Sequence, residues 1–149
     1  MKRNLFKSRR CAAGISLLEV LLSLSIIAII LVMATRYFFV ANDNDKVNMA
    51  RQEIGSLIAG INAWKNQNPQ YTGLTIKQLS DDGFLAHSNS LSPDQSTLYG
   101  PWGTAIQMNP SDTSVQISLT LPKASECKSL MNSYPDATCD NQTFTLTVQ

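Results

Sequence analysis

Few residues in this 149-residue chain are of the types that do acid–base or nucleophilic chemistry, and their spacing points away from catalysis. His87 is the one histidine and sits in a Ser- and Asn-rich stretch, so neither a His-based triad nor a multi-His metal site can form. Asp81-Asp82 is a carboxylate pair at the end of a predicted helix, where solvation and capping explain it better than proton transfer. Asn42-Asp43-Asn44-Asp45 has the oxygen donors of a calcium loop but lacks the Gly and the distal Glu at EF-hand spacing. No Gly-rich phosphate loop is present. The expectation is a protein that is not an enzyme, with no catalytic, cofactor-binding or metal residues and no cofactor. Two other constellations stand out: the junction Gly14-Ile15 with Glu19 beyond it, and the pair Cys127 and Cys139.

The elements around the junction are set by charge and hydropathy. Lys2, Arg3, Lys7, Arg9 and Arg10 all precede Gly14, and no acid does. Without those five, seven cations face 11 acids, a net charge of −4, so direct nucleic-acid binding is not expected. An apolar run follows from Ile15 to Ala34, with no charge between Glu19 and Arg36. About 20 residues at roughly 1.5 Å each give about 30 Å, one helical crossing of a bilayer. The basic stretch orients this span with the N-terminus in the cytoplasm and the residues after Tyr37 outside. A secretory signal peptide fits poorly, because the run is long and Arg36-Tyr37-Phe38-Phe39 offers no small-residue cleavage site. Cys11 precedes the apolar run, which argues against a lipoprotein, and the long anchor argues against a twin-arginine signal at Arg9-Arg10.

Gly14-Ile15-Ser16-Leu17-Leu18-Glu19-Val20 resembles the precursors of the type IV pilin and pseudopilin superfamily at Gly14, Ile15, Leu17, Leu18 and Glu19. The resemblance implies cleavage after Gly14 by a prepilin peptidase, then methylation of the Ile15 amine. Glycine suits such a cut, since without a Cβ the backbone is open to a protease. A carboxylate within an apolar helix is costly and suggests a function. In the family, Glu19 would pair with the Ile15 amine of a neighbouring subunit. The competing reading is a carboxylate that snorkels into the headgroups.

Beyond Asn42–Asp45, where the helix is expected to be loosest, Val47, Ala50, Ile54, Leu57, Ile58, Ile61 and Trp64 form one apolar stripe at helical spacing. Asn68-Pro69 ends it, so one helix is predicted from Ile15 to Asn68. A turn and a short helix closed by Gly83 come next, then a polar loop with Pro93. Three period-two segments follow: Trp102, Ile106 and Met108; Val115, Ile117, Leu119 and Leu121; and Phe144, Leu146 and Val148 alternating with threonines. A short helix is predicted within Lys123–Tyr134. The expected fold class is α+β, a long N-terminal helix packed on a small antiparallel sheet. Cys127 and Cys139 would lie in an oxidising compartment, which predicts a disulfide.

The segments around Val115–Leu119 and Lys123–Leu130, with Gly100-Pro101-Trp102-Gly103, are similar to the type IVb pilins, the toxin-coregulated and bundle-forming class. The expected divisions are a cleaved leader at 1–14, a transmembrane and assembly half of the helix at 15–41, and an extracytoplasmic pilin domain at 42–149. The resemblance implies a structural subunit of a type IVb-like pilus serving adhesion, aggregation or conjugation. Its partners would be other copies of itself in a helical filament, the prepilin peptidase, an inner-membrane assembly platform and a secretin. It would sit in the inner membrane before assembly and then in an extracellular pilus or a periplasm-spanning filament. A minor pilin or type II secretion pseudopilin is the nearer alternative, and a membrane-anchored binding domain that never polymerises is the more distant one.

Overall fold

A computed structural model of the chain describes residues 16–85 and 90–149. The chain divides into two compact units between Phe39 and Val40. Helix α1, Leu17–Gln67, contributes to both. It ends where expected: Asn68 donates both its backbone N–H and its side-chain Nδ2 to the Trp64 carbonyl, at 3.0 and 3.2 Å, and Pro69 bars continuation. Asn42–Asp45 is helical throughout rather than loosened. Asp43 is held there by an ion pair with Lys123, 80 residues away, a tertiary contact that outweighs the weak local helix preference of Asn and Asp.

In the second unit α1 buries Val47, Ala50, Ile54, Leu57, Ile61 and Trp64, the predicted stripe, with Ile58 half-buried at its margin. Gly60 is also on this face, because a Cβ there would come within 3.0 Å of the Phe84 carbonyl oxygen. Helix α2, Ile76–Asp81, is N-capped by the Thr75 hydroxyl, which accepts from the Gln78 N–H at 3.1 Å. Gly83, at φ +75°, turns the chain out of it. Asp81 and Asp82 are exposed at that end.

The remaining elements are β1 (Leu98–Tyr99), β2 (Ala105–Pro110), β3 (Val115–Thr120), α3 (Ala124–Met131), β4 (Ala137–Asp140) and β5 (Thr143–Val148). The strands form one sheet in the order β1-β2-β3-β5-β4, every pairing antiparallel. The β3–β5 register sets Ile117 opposite Leu146 and Leu119 opposite Phe144 on the buried face, and Ser118 opposite Thr145 on the other. Alternation with a period of two does this, since successive side chains leave a strand on opposite faces.

Two further features differ from the sequence expectation. Trp102 is not in a strand: Gly103 donates to the Gly100 carbonyl at 2.8 Å and adopts φ +75°, so Gly100–Gly103 is the turn joining β1 to β2. Strands β1 and β4 have no counterpart in the predicted pattern, being only two and four residues long.

Candidate assembly segment and disulfide-bonded region

The first unit presents the junction residues that lie within the described chain. Gly14 and Ile15 fall outside the described residues, as do Cys11 and His87. Every residue from Ser16 to Asn42 is exposed, including Leu17 at 79% and Phe38 at 68%. A monomer in water rarely leaves so much contiguous apolar surface open, and α1 is long and apolar enough here to cross a membrane. Three hydroxyls in this stretch are already satisfied. Ser23, Ser25 and Thr35 donate their hydroxyls to the carbonyls of Glu19, Leu21 and Leu31, each four residues back, at 2.8, 2.8 and 2.7 Å. Such internal hydrogen bonds let a helix enter a medium that offers no water.

Glu19 is the one acidic residue in the apolar run. It lies in the first turn, where the N–H groups of Glu19 and Val20 both meet the Ser16 carbonyl, at 3.0 and 3.2 Å. The positive end of the helix dipole favours a carboxylate there, within a segment that otherwise carries no charge until Arg36. The two ion pairs among the described residues lie elsewhere, so the Glu19 charge is compensated by neither.

In the second unit a disulfide joins Cys127 of α3 to Cys139 of β4, with Cα atoms 6.0 Å apart. Helix α3 is pinned to α1 at both ends. At its start Lys123 reaches Asp43 at 2.5 Å, and that hydrogen bond raises the Lys123 ammonium above its ordinary pKa. At its end the Arg51 guanidinium donates through Nη2 to the Ser129 carbonyl at 2.9 Å and through Nη1 to Asn48 Oδ1 at 3.0 Å. A cation at the last turn complements the helix dipole as well as the free carbonyl. Tyr134 completes the clamp, donating its hydroxyl to the Arg51 carbonyl at 3.1 Å while its ring meets Phe144 edge-on at 5.9 Å. Burial raises the Tyr134 pKa, and the charge of Arg51 works against that.

None of these clamp contacts was singled out by the sequence. Arg51, Asp43 and Tyr134 find partners 78 to 83 positions away, a separation no local spacing rule covers. The lone basic residue Arg51 on an otherwise apolar stripe face was the available signal. Among the described residues no group of three or more His, Cys, Asp or Glu gathers in metal-binding range.

Residues 9–35 match the family model for the prokaryotic N-terminal methylation motif. Residues 40–133, most of the chain, match the family model for Bundlin. The chain belongs to the bundlin family of type IV pilins. No curated protein and no solved structure matches it. The methylation motif spans the junction and the apolar part of this pilin's first unit, and the Bundlin match begins at Val40, where its second unit begins. The pilin's Cys127 lies inside that match and Cys139 beyond its end. The families are structural ones. Membership implies self-assembly into filaments and processing by a prepilin peptidase, and the exposed apolar helix fits a membrane-anchored pilin.

Proposed function

We propose that this pilin is a structural subunit of a type IVb-like pilus, assembled through the apolar half of α1 after cleavage between Gly14 and Ile15. Before assembly it is held in the inner membrane with residues 1–14 in the cytoplasm and residues 42–149 outside. Leader removal exposes the Ile15 amine, the one positive group able to meet Glu19 of a neighbouring copy inside an apolar bundle. The pairing would set the axial offset between copies, and cleavage would be the switch for assembly. An assembly platform and a secretin would carry the growing filament outward, where it serves adhesion, aggregation or conjugation.

The observation that carries the reading is a methylation motif continuous with a wholly exposed apolar helix segment, in a chain otherwise matching a pilin family. The match to Bundlin favours a pilus over a secretion pseudopilus. The test is to shear filaments from cells making the full chain and weigh the subunit. Ile15 as the N-terminus, carrying one methyl group, is the expected result. Filaments built of subunits with the leader intact would overturn the reading.

A further inference from the structure

A cavity of about 170 Å³ lies between the stretch of α1 just past the apolar segment and the first turns of α3. Val40, Asp43, Asn44 and Val47 line it from α1, and Ser125, Glu126 and Ser129 line it from α3. Glu126 is only 5% exposed. Its Oε1 is 4.0 Å from the Lys123 ammonium, while its Oε2 is buried with no hydrogen-bond partner. Lys123 serves Asp43 first, at 2.5 Å, and keeps 54% of its side chain in water. The cavity is thus lined by two carboxylates that share one ammonium outside it, leaving one negative charge and a buried acceptor without a donor. Buried polar atoms of this kind nearly always have a partner in the functional state. A guanidinium suits it, since its planar fork of donors can serve two acceptors at once and it sheds water more readily than an ammonium.

We propose that the cavity receives the guanidinium of Arg36 from a second copy of the chain, an inference that rests on the polymerisation reading above. Arg36 is the only Lys or Arg between Ile15 and Asp45, and neither described ion pair involves it. In the assembling half, the Ile15 amine would answer Glu19, leaving Arg36 as the one unmatched positive charge. In the cavity, one negative charge is unmatched, so the two inventories close on each other. The spacing agrees. Pairing Ile15 of one copy with Glu19 of another offsets them by four residues, about 6 Å at 1.5 Å per residue. That offset brings the neighbour's Arg36 level with Val40, three residues or about 4.5 Å short of Asp43. The long side chain of arginine covers the difference.

The test is a double-mutant cycle on filament yield in cells making the full chain. Glu126→Gln and Arg36→Gln should each lower yield by about tenfold, in line with desolvated charge pairs across interfaces. Levels of cleaved, disulfide-bonded subunit should be unchanged, and the double variant should be no worse than either single one. Wild-type yield from Glu126→Gln, or a double variant whose loss is the product of the two, would overturn the proposal. A second measurement does not depend on Glu126 variants accumulating. Copies carrying Arg36→Cys, co-expressed with copies carrying Val40→Cys, the position that the offset sets level with it, should form a mixed disulfide dimer within oxidised filaments, and its absence would overturn the pairing. Glu19→Val is run alongside. If that variant assembles normally, the polymerisation reading falls. If it fails to assemble while the Arg36 and Glu126 variants assemble normally, only the present inference falls.

Discussion

Reducing the Cys127–Cys139 bridge perturbs the second unit at one defined point, and its cost follows from the loop it closes. The two cysteines are 12 positions apart. On the chain-entropy account, cross-linking a loop of that size removes enough unfolded-state freedom to stabilise the fold by about 3 kcal/mol. Small domains are stable by about 5–15 kcal/mol, so the loss is a large fraction of the whole. With a urea slope of about 1–3 kcal/mol per M, the unfolding midpoint should fall by about 1–3 M on reduction. The two single variants should differ. Cys139 is half-buried, and Cys139→Ser should cost little beyond the bridge itself. Cys127 is fully buried, so Cys127→Ser also places a hydroxyl where no water reaches, adding about 1–3 kcal/mol. Cys127→Ala should fall between them. The assay is urea unfolding of the purified protein in detergent, followed by tryptophan fluorescence with and without reductant. A midpoint unmoved by reduction would refute the reasoning, as would Cys139→Ser proving costlier than Cys127→Ser.

Glu19→Val should leave a cleaved, membrane-inserted and disulfide-bonded subunit that forms few or no filaments. A bare carboxylate within the bilayer costs about 2.5–3.5 kcal/mol, so the variant should insert at least as well as the parent. Immunoblots for cleavage and electron microscopy for filaments decide it, and normal filament numbers would favour the snorkelling alternative. Gly60→Val should destabilise the second unit by about 1–3 kcal/mol, because the new side chain presses on the Phe84 backbone, read as a lowered urea midpoint. Burial raises the Glu53 pKa above its ordinary 4.5, with the hydrogen bond from Ser90 opposing. The folded state therefore binds the proton more tightly than the unfolded one. Stability should fall as pH rises from about 4.5 through the higher folded value. Glu53→Gln should flatten that part of the midpoint-against-pH curve; a curve unchanged by the substitution would count against it.

Much of the molecule was legible without coordinates, wherever the deciding physics is local. The apolar run from Ile15 to Ala34 reads as a membrane-length helix, since most residues there share a preference for leaving water. The stripe from Val47 to Trp64 and the alternation from Val115 to Leu121 each carry their period in the residue order. Asn68-Pro69 and Gly83 terminate helices through their own backbone limits. Other features exist only because distant segments meet. Ala137–Asp140 is a strand because β5 lies beside it with partners in register, and its own residues show no strong strand pattern. Trp102 looked like a strand residue by alternation, but the closure between Gly100 and Gly103 assigns it to a turn. Asn42–Asp45 stays helical under a contact from Lys123, and Arg51 holds the end of α3 through a carbonyl 78 positions away. The orphaned oxygen of Glu126 was equally invisible in the sequence, because α3's first turn reads as a surface helix until α1 and Lys123 close over it. The order of residues determined what each segment prefers next to its neighbours; only the folded chain decided which charges are left without a partner, since pairing depends on distances that the sequence does not contain.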